Sequence, residues 1–211
     1  MCFTIALLTR GQISVPRKSW VSQLRPQKIP FRRRFARASV ALIFRKTEDG
    51  GKELLFIQRA RRAGDPWSGD MAFPGGRLQS EDASARAAAQ RETLEETGID
   101  LSRHGRYLAR LSDLITRHHS RWRPMVVTPY VFEWRGPKAV SPNHEVERAV
   151  WVPLDYLAAG ENQSQLPWRT PLGTLNLPCC HYLDSCIWGL SYSMLQELLE
   201  MISETGRELE P

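Results

Sequence analysis

Apolar residues change rhythm along this chain, and the changes mark its elements. Ala38–Phe44 is a nearly unbroken run of small, branched and aromatic side chains, the pattern of a buried strand. Glu53–Gln58 follows as its neighbour, and Glu48-Asp49-Gly50-Gly51 predicts the turn between them. Tyr107–Leu114, Met125–Trp134 and Val146–Val152 are further predicted strands, the second rich in Val, Tyr, Phe and Trp. Pro153 predicts the opening of a helical turn, Leu154–Leu157. Residues 160–186, with Pro167, Pro171 and Pro178, read as loop. From about Ile187 to Ser203 the period becomes helical, with Leu190, Met194, Leu198 and Met201 or Ile202 on one stripe. That spacing is a packing face, and Glu204–Pro211 reads as a frayed tail.

A different pattern fills the gap between the strands at 53–58 and 107–114. Ala83–Arg91 consists largely of strong helix formers, with Asp82 as the predicted N-cap and Gly98 as the stop. Glu92, Glu95 and Glu96 stand at i, i+3 and i+4, so they project from one face toward a common point. Carboxylates so crowded repel one another unless cations sit among them, and hard oxygen ligands suit Mg²⁺ or Mn²⁺. Most glutamate-rich helices are solvated faces, and Arg91 with Glu95 is an ordinary i, i+4 pair. The preceding Phe73-Pro74-Gly75-Gly76 sets this helix apart. Paired glycines let backbone approach a ligand or metal closely, and Pro74 stiffens the entry.

Phe73–Ile99 resembles the signature of Nudix hydrolases, Gly-x5-Glu-x7-Arg-Glu-U-x-Glu-Glu-x-Gly-U with U aliphatic. Gly76, Arg91, Glu92, Glu95, Glu96, Gly98 and Ile99 match. Thr93 stands where the pattern has an aliphatic residue, and the spacing from Gly76 to Arg91 is one residue longer, leaving Asp82 as the nearest early acid. The resemblance implies an α/β (α+β) fold, a Nudix-like α/β/α sandwich with a mixed β-sheet. It also implies metal-dependent hydrolysis of a nucleoside diphosphate linked to another group. Glu95 and Glu96 would be the main metal ligands, with the Gly75 carbonyl helping. Glu92 would ligate metal or accept the water proton, and Arg91 would orient the carboxylates. A further carboxylate from outside the box is usual in the family, and Glu145 is the candidate, with His144 as its alternative.

Leu55–Ala60 with Gly69–Gly76, then Asn143–Val146, Trp151–Leu154 and Ile187–Leu190, resemble the coenzyme A pyrophosphatase branch. Its central Arg falls at Asp65, with Arg61 and Arg62 close by. Arg59, Arg61 and Arg62 are therefore the substrate-binding candidates, one of them for a 3′-phosphate. The alternatives are a nucleotide-sugar or dinucleoside polyphosphate hydrolase, or a non-catalytic module binding nucleotide or RNA through Arg121-Trp122-Arg123. All three box glutamates are present, which argues against the latter.

Charge and cysteines refine the picture. The net charge of +6 sits in the first 38 residues, with nine Lys or Arg and no acid, leaving 20 basic against 23 acidic residues beyond. An arm at 1–37 is expected, including Arg32-Arg33-Arg34 and Arg37, solvated and packing one short helix near Ser19–Leu24. An anion-steering arm and an organelle transit peptide are the other readings; Pro16, Pro26 and Pro30 oppose a long transit helix. The hydrolase domain is expected over 38–203. Cys2, Cys179, Cys180 and Cys186 include no Cys-x-x-Cys; idle thiols in a reducing, cytoplasmic setting are expected, with zinc on Cys179, Cys180, His181 and Cys186 as the alternative. The expected partner is a small-molecule nucleotide, with neither membrane nor nucleic acid, and a homodimer is left open.

Overall fold

The computed structural model describes residues 26–62, 67–117, 124–170 and 173–207 of the chain. The expected helix near Ser19–Leu24, Asp65, Arg121-Trp122-Arg123, Cys2 and residues 208–211 lie outside them.

A mixed sheet is built around β1, Ala36–Lys46. It pairs in parallel with β7, Pro124–Trp134, from Ala36 opposite Met125 to Phe44 opposite Glu133. On its other side it runs antiparallel to β2, Lys52–Arg59. β2 in turn carries β3, Met71–Ala72, and β8, Val146–Pro153. β7 carries β5, Gly105–Arg110, and β6, Leu114–Arg117. β4, Gly75–Arg77, lies against the beginning of β1. The described residues hold four α-helices, in chain order α1 (Ala85–Thr97), α2 (Leu101–His104), α3 (Leu154–Ala158) and α4 (Gly189–Arg207).

Alternation along β1 explains why the sheet is covered on both faces. Leu42 and Phe44 join Met194, Leu195, Leu198 and Met201 of α4 in one core. Ala41 and Ile43 point the other way and pack with Ala89 of α1, Ile99 and Leu101 of α2. This is the expected mixed sheet between helices.

Three boundaries differ from expectation. Residues 160–186 are not loop but a three-stranded antiparallel sheet of β9 (Gln163–Thr170), β10 (Gly173–Tyr182) and β11 (Ser185–Trp188). Prolines mask it in the sequence. Pro167 sits on the edge strand β9, and Pro178 lies just beyond the pairing with β11, which begins at Cys179, so neither removes an essential ladder bond. Because β11 holds Ile187, α4 begins only at Gly189, and it runs past Ser203 to Arg207 rather than fraying at Glu204. Finally, Tyr107–Leu114 is interrupted at Leu111–Asp113.

The interruption has a cause in Asp113, whose side chain is 0% exposed. It accepts hydrogen bonds from Thr128 Oγ1 at 2.6 Å and from the Ile29 N–H at 3.1 Å. It pairs with Arg32 at 3.1 Å and also with Arg110. The Asp113 N–H donates to Gln27 O at 2.9 Å. The basic arm is therefore not solvated throughout: residues 27–32 are fastened to the domain. Burial raises the Asp113 pKa, but hydrogen bonds from Thr128 and Ile29 and the Arg110 charge outweigh it and hold it below its ordinary value.

Asp113→Ala, which leaves Arg110 and Arg32 unpaired, is expected to cost about 3–5 kcal/mol in denaturant unfolding. The carboxylate's contribution is present above its unfolded pKa and is lost as pH falls through the lower folded one. Deletion of residues 1–34 should lower Tm further than deletion of 1–25, because only the longer deletion removes the Gln27, Ile29 and Arg32 contacts.

Candidate metal and substrate site

Backbone geometry brings the glycine loop onto the acidic helix. The Gly75 N–H donates to Glu96 Oε2 at 2.8 Å. Gly75 has φ 152°, and a Cβ there would overlap Ser39 O and Val40 Cα. A Cβ on Gly76 would lie 2.5 Å from the Glu92 carboxyl. The two glycines thus make room for loop and acids to touch.

Ser84, rather than Asp82, caps α1: its Oγ accepts from the Ala87 N–H at 3.1 Å. Asp82 has other work, accepting from Arg91 Nε at 3.0 Å and Nη2 at 3.1 Å and from the Gln79 N–H at 2.8 Å. Arg91 also pairs with Glu92 at 3.0 Å and Glu95 at 3.1 Å, and donates to Arg77 O at 3.1 Å. One guanidinium therefore fixes three acids and the strand entering the site. Thr93 is buried where the signature has an aliphatic residue, and its hydroxyl is satisfied by Ala89 O at 2.7 Å. Gly98, at φ 73°, ends the helix as expected.

The acids are not equivalent. Glu95 has half of its side chain exposed. Glu96 is 5% exposed. Burial pushes its carboxyl up to about 8 against the opposing Gly75 hydrogen bond, with Glu92 and Glu145 adding to the rise and Arg59 resisting it. Burial also raises the Glu92 carboxyl, against the Arg91 charge. Carboxylates gathered this way favour a bound cation. Carboxylate oxygens are hard donors of the kind Mg²⁺ or Mn²⁺ takes, and Glu92 and Glu96 act electrostatically on each other.

Glu145 comes to the C-terminal end of α1. The Asn143 N–H donates to Glu96 O at 3.1 Å, and Asn143 Oδ1 accepts from the Glu145 N–H at 2.8 Å. The Glu145 carboxylate pairs with Arg62 at 3.3 Å, with His144 Nε2 3.9 Å away. Arg61 is mostly solvated and 3.8 Å from Glu147.

Beside Gly75–Arg77 opens a cleft of about 690 Å³, lined by Arg59, Trp67, Phe73, Leu177, Trp188 and Tyr192 among others. A second recess of about 670 Å³ carries Arg61, Arg62, Ser68 and Asp184, and shares Asp70 and Trp188 with the first. The aromatic wall comes from segments far apart in sequence, and only the resemblance drew attention to Trp188. Among the described residues no helix is long and apolar enough to cross a membrane.

The NUDIX domain family model matches residues 35–169. The chain is 34% identical over 148 residues to an uncharacterized protein of Schizosaccharomyces pombe, a stretch covering 62% of this chain and 45% of that relative. It thus spans less than half of that protein's length. Among solved structures, a MutT/nudix family protein from Enterococcus faecalis aligns over 86% of this chain and 66% of its own, at 16% identity and TM-score 0.52. An Ap4A hydrolase of C. elegans aligns over 57% of this chain and 81% of its own, at 23% identity and TM-score 0.48.

Asp82→Ala should weaken Mn²⁺ binding by about 10–100-fold, because it frees the guanidinium that orients Glu92 and Glu95. Ser84→Ala should instead cost about 1 kcal/mol of stability through the lost cap. Calorimetric titration and thermal unfolding of both variants separate the two roles; equal metal affinity in Asp82→Ala and the parent would contradict them.

Proposed function

The chain belongs to the NUDIX domain family, and from that premise we propose that it hydrolyses a nucleoside diphosphate linkage with Mg²⁺ or Mn²⁺ held by Glu92, Glu95, Glu96 and the Gly75 carbonyl. The observation that carries this reading is the glycine loop seated on the acidic helix, with the Gly75 N–H on buried Glu96 at 2.8 Å and Gly76 packed against Glu92. A divalent cation bound there neutralises phosphate oxygens and lowers the pKa of water. Water oxygen bonds to one phosphorus as the bridging P–O bond breaks, leaving two phosphomonoesters. Glu92 receives the water proton on a carboxylate oxygen, a role its raised pKa suits. Arg91 holds Glu92 and Glu95 in place, and Asp82 holds Arg91. Glu145 supplies a further carboxylate at the edge of the site.

Coenzyme A or an acyl derivative is the substrate this reading favours, giving adenosine 3′,5′-bisphosphate and a 4′-phosphopantetheine. The apolar, aromatic-walled cleft beside the glycine loop suits a pantetheine or acyl arm. The adjoining recess offers Arg61 and Arg62, whose guanidinium geometry suits a 3′-phosphate. Arg59 lines the cleft and acts electrostatically on Glu96, which supports a role for it in holding the diphosphate.

Glu95→Gln and Glu96→Gln should each lower turnover at limiting Mg²⁺ by at least roughly 100-fold while the fold persists. Near-normal turnover in both would sink the metal assignment. Ala at Arg61 and Arg62 should penalise coenzyme A over its 3′-dephospho form by about 1–3 kcal/mol in kcat/KM. Faster cleavage of ADP-ribose or diadenosine polyphosphates than of any coenzyme A species would promote the nucleotide-sugar or dinucleoside polyphosphate reading.

A further inference from the structure

Outside the carboxylate site, Cys179, His181 and Cys186 gather on the β10–β11 hairpin. Cys179 and His181 are two residues apart on β10 and so share a face. His181 stands directly opposite Cys186 on β11. Their ligand atoms all lie within 4.8 Å of one another. Cys179 Sγ is 3.8 Å from His181 Nε2, and Cys186 Sγ lies within 4.8 Å of both. A tetrahedral zinc ion with Zn–S of about 2.3 Å and Zn–N of about 2.0 Å places its ligand atoms about 3.5–3.8 Å apart. The three donors are thus already near that spacing. Cys180, the intervening residue, turns to the opposite face and packs in the core with Ile187 and Leu195.

We propose that Cys179, His181 and Cys186 bind one Zn²⁺, with water in the fourth position. Binding releases the two thiol protons to solvent and changes no oxidation state. Soft thiolates and an imidazole distinguish this centre from the hard carboxylate set, so each selects a different ion. Its position also gives it a structural consequence for the cleft. The same hairpin presents Leu177 and Pro178 from β10 and Trp188 from β11 to the cleft wall. A metal bridging the two strands fixes that wall.

The full-length protein, kept reduced, is loaded with Zn²⁺ or Co²⁺ and desalted. Zinc should remain at one ion per chain by elemental analysis. The cobalt form should show a thiolate-to-cobalt charge-transfer band with intense visible bands of a tetrahedral site. His181→Ala alters an exposed side chain and Cys186→Ser a half-buried one, so circular dichroism should show both variants folded. Each should weaken zinc binding by at least about 100-fold, beyond the loss of an outer-shell partner. Cys180→Ser should keep the charge-transfer band, as should Glu95→Gln. The proposal is overturned if the reduced protein retains no zinc or if the band persists in folded Cys186→Ser. Recovery of Cys179 and Cys186 as a disulfide from the reduced preparation would also overturn it.

Discussion

The hydrogen bond from the Gly75 N–H to the buried Glu96 carboxylate, at 2.8 Å, is the contact around which the site is organised. A carboxylate removed from water is costly unless hydrogen bonds or cations compensate it. The Gly75 N–H supplies one such bond, and it forms because neither Gly75 nor Gly76 carries a Cβ that would collide with β1 or Glu92. The Glu96 backbone carbonyl meanwhile accepts the Asn143 N–H at 3.1 Å. One residue therefore ties the glycine loop, α1 and the loop bearing Glu145 together. Burial raises the Glu96 carboxyl against the Gly75 hydrogen bond, with Glu92 and Glu145 adding to the rise.

Much of this was legible in the sequence because local rules and tertiary context agree there. The dense apolar runs at 38–44 and 125–134 became the parallel pair at the centre of the sheet, and the stripe from Leu190 to Met201 became the packing face of α4. The i, i+3, i+4 spacing put Glu92 and Glu95 within reach of Arg91, which pairs with both. It did not imply that Glu96 would be buried while Glu95 stays half exposed, since that depends on where the glycine loop lies. Asp82 and Ser84 are both good caps by residue type. Arg91, nine residues on, decides between them by drawing Asp82 into its own ion pair.

The β9–β11 sheet was hidden by prolines, which mark loops in most contexts but are harmless at a sheet edge or beyond a partner strand's end. Missing it also hid which of Cys179, Cys180 and His181 share a face. Read as loop, those residues have no shared face; read as strand, Cys179 and His181 point together and Cys180 does not. The cleft wall was out of reach for a different reason. Trp67, Leu177, Trp188 and Tyr192 meet only through the tertiary assembly of segments far apart in the chain.

Isotope tracing tests the central chemistry most directly. Metal-free protein is incubated in ¹⁸O-labelled water with coenzyme A and other nucleoside diphosphate derivatives, then supplied with Mg²⁺ or Mn²⁺, and the products are read by mass spectrometry. The expected result is cleavage only after the metal is added, with one labelled oxygen in one of the two phosphomonoesters. Absence of any phosphomonoester product across the panel, or cleavage at the same rate without added metal, would contradict a divalent-cation hydrolase built on Glu92, Glu95 and Glu96.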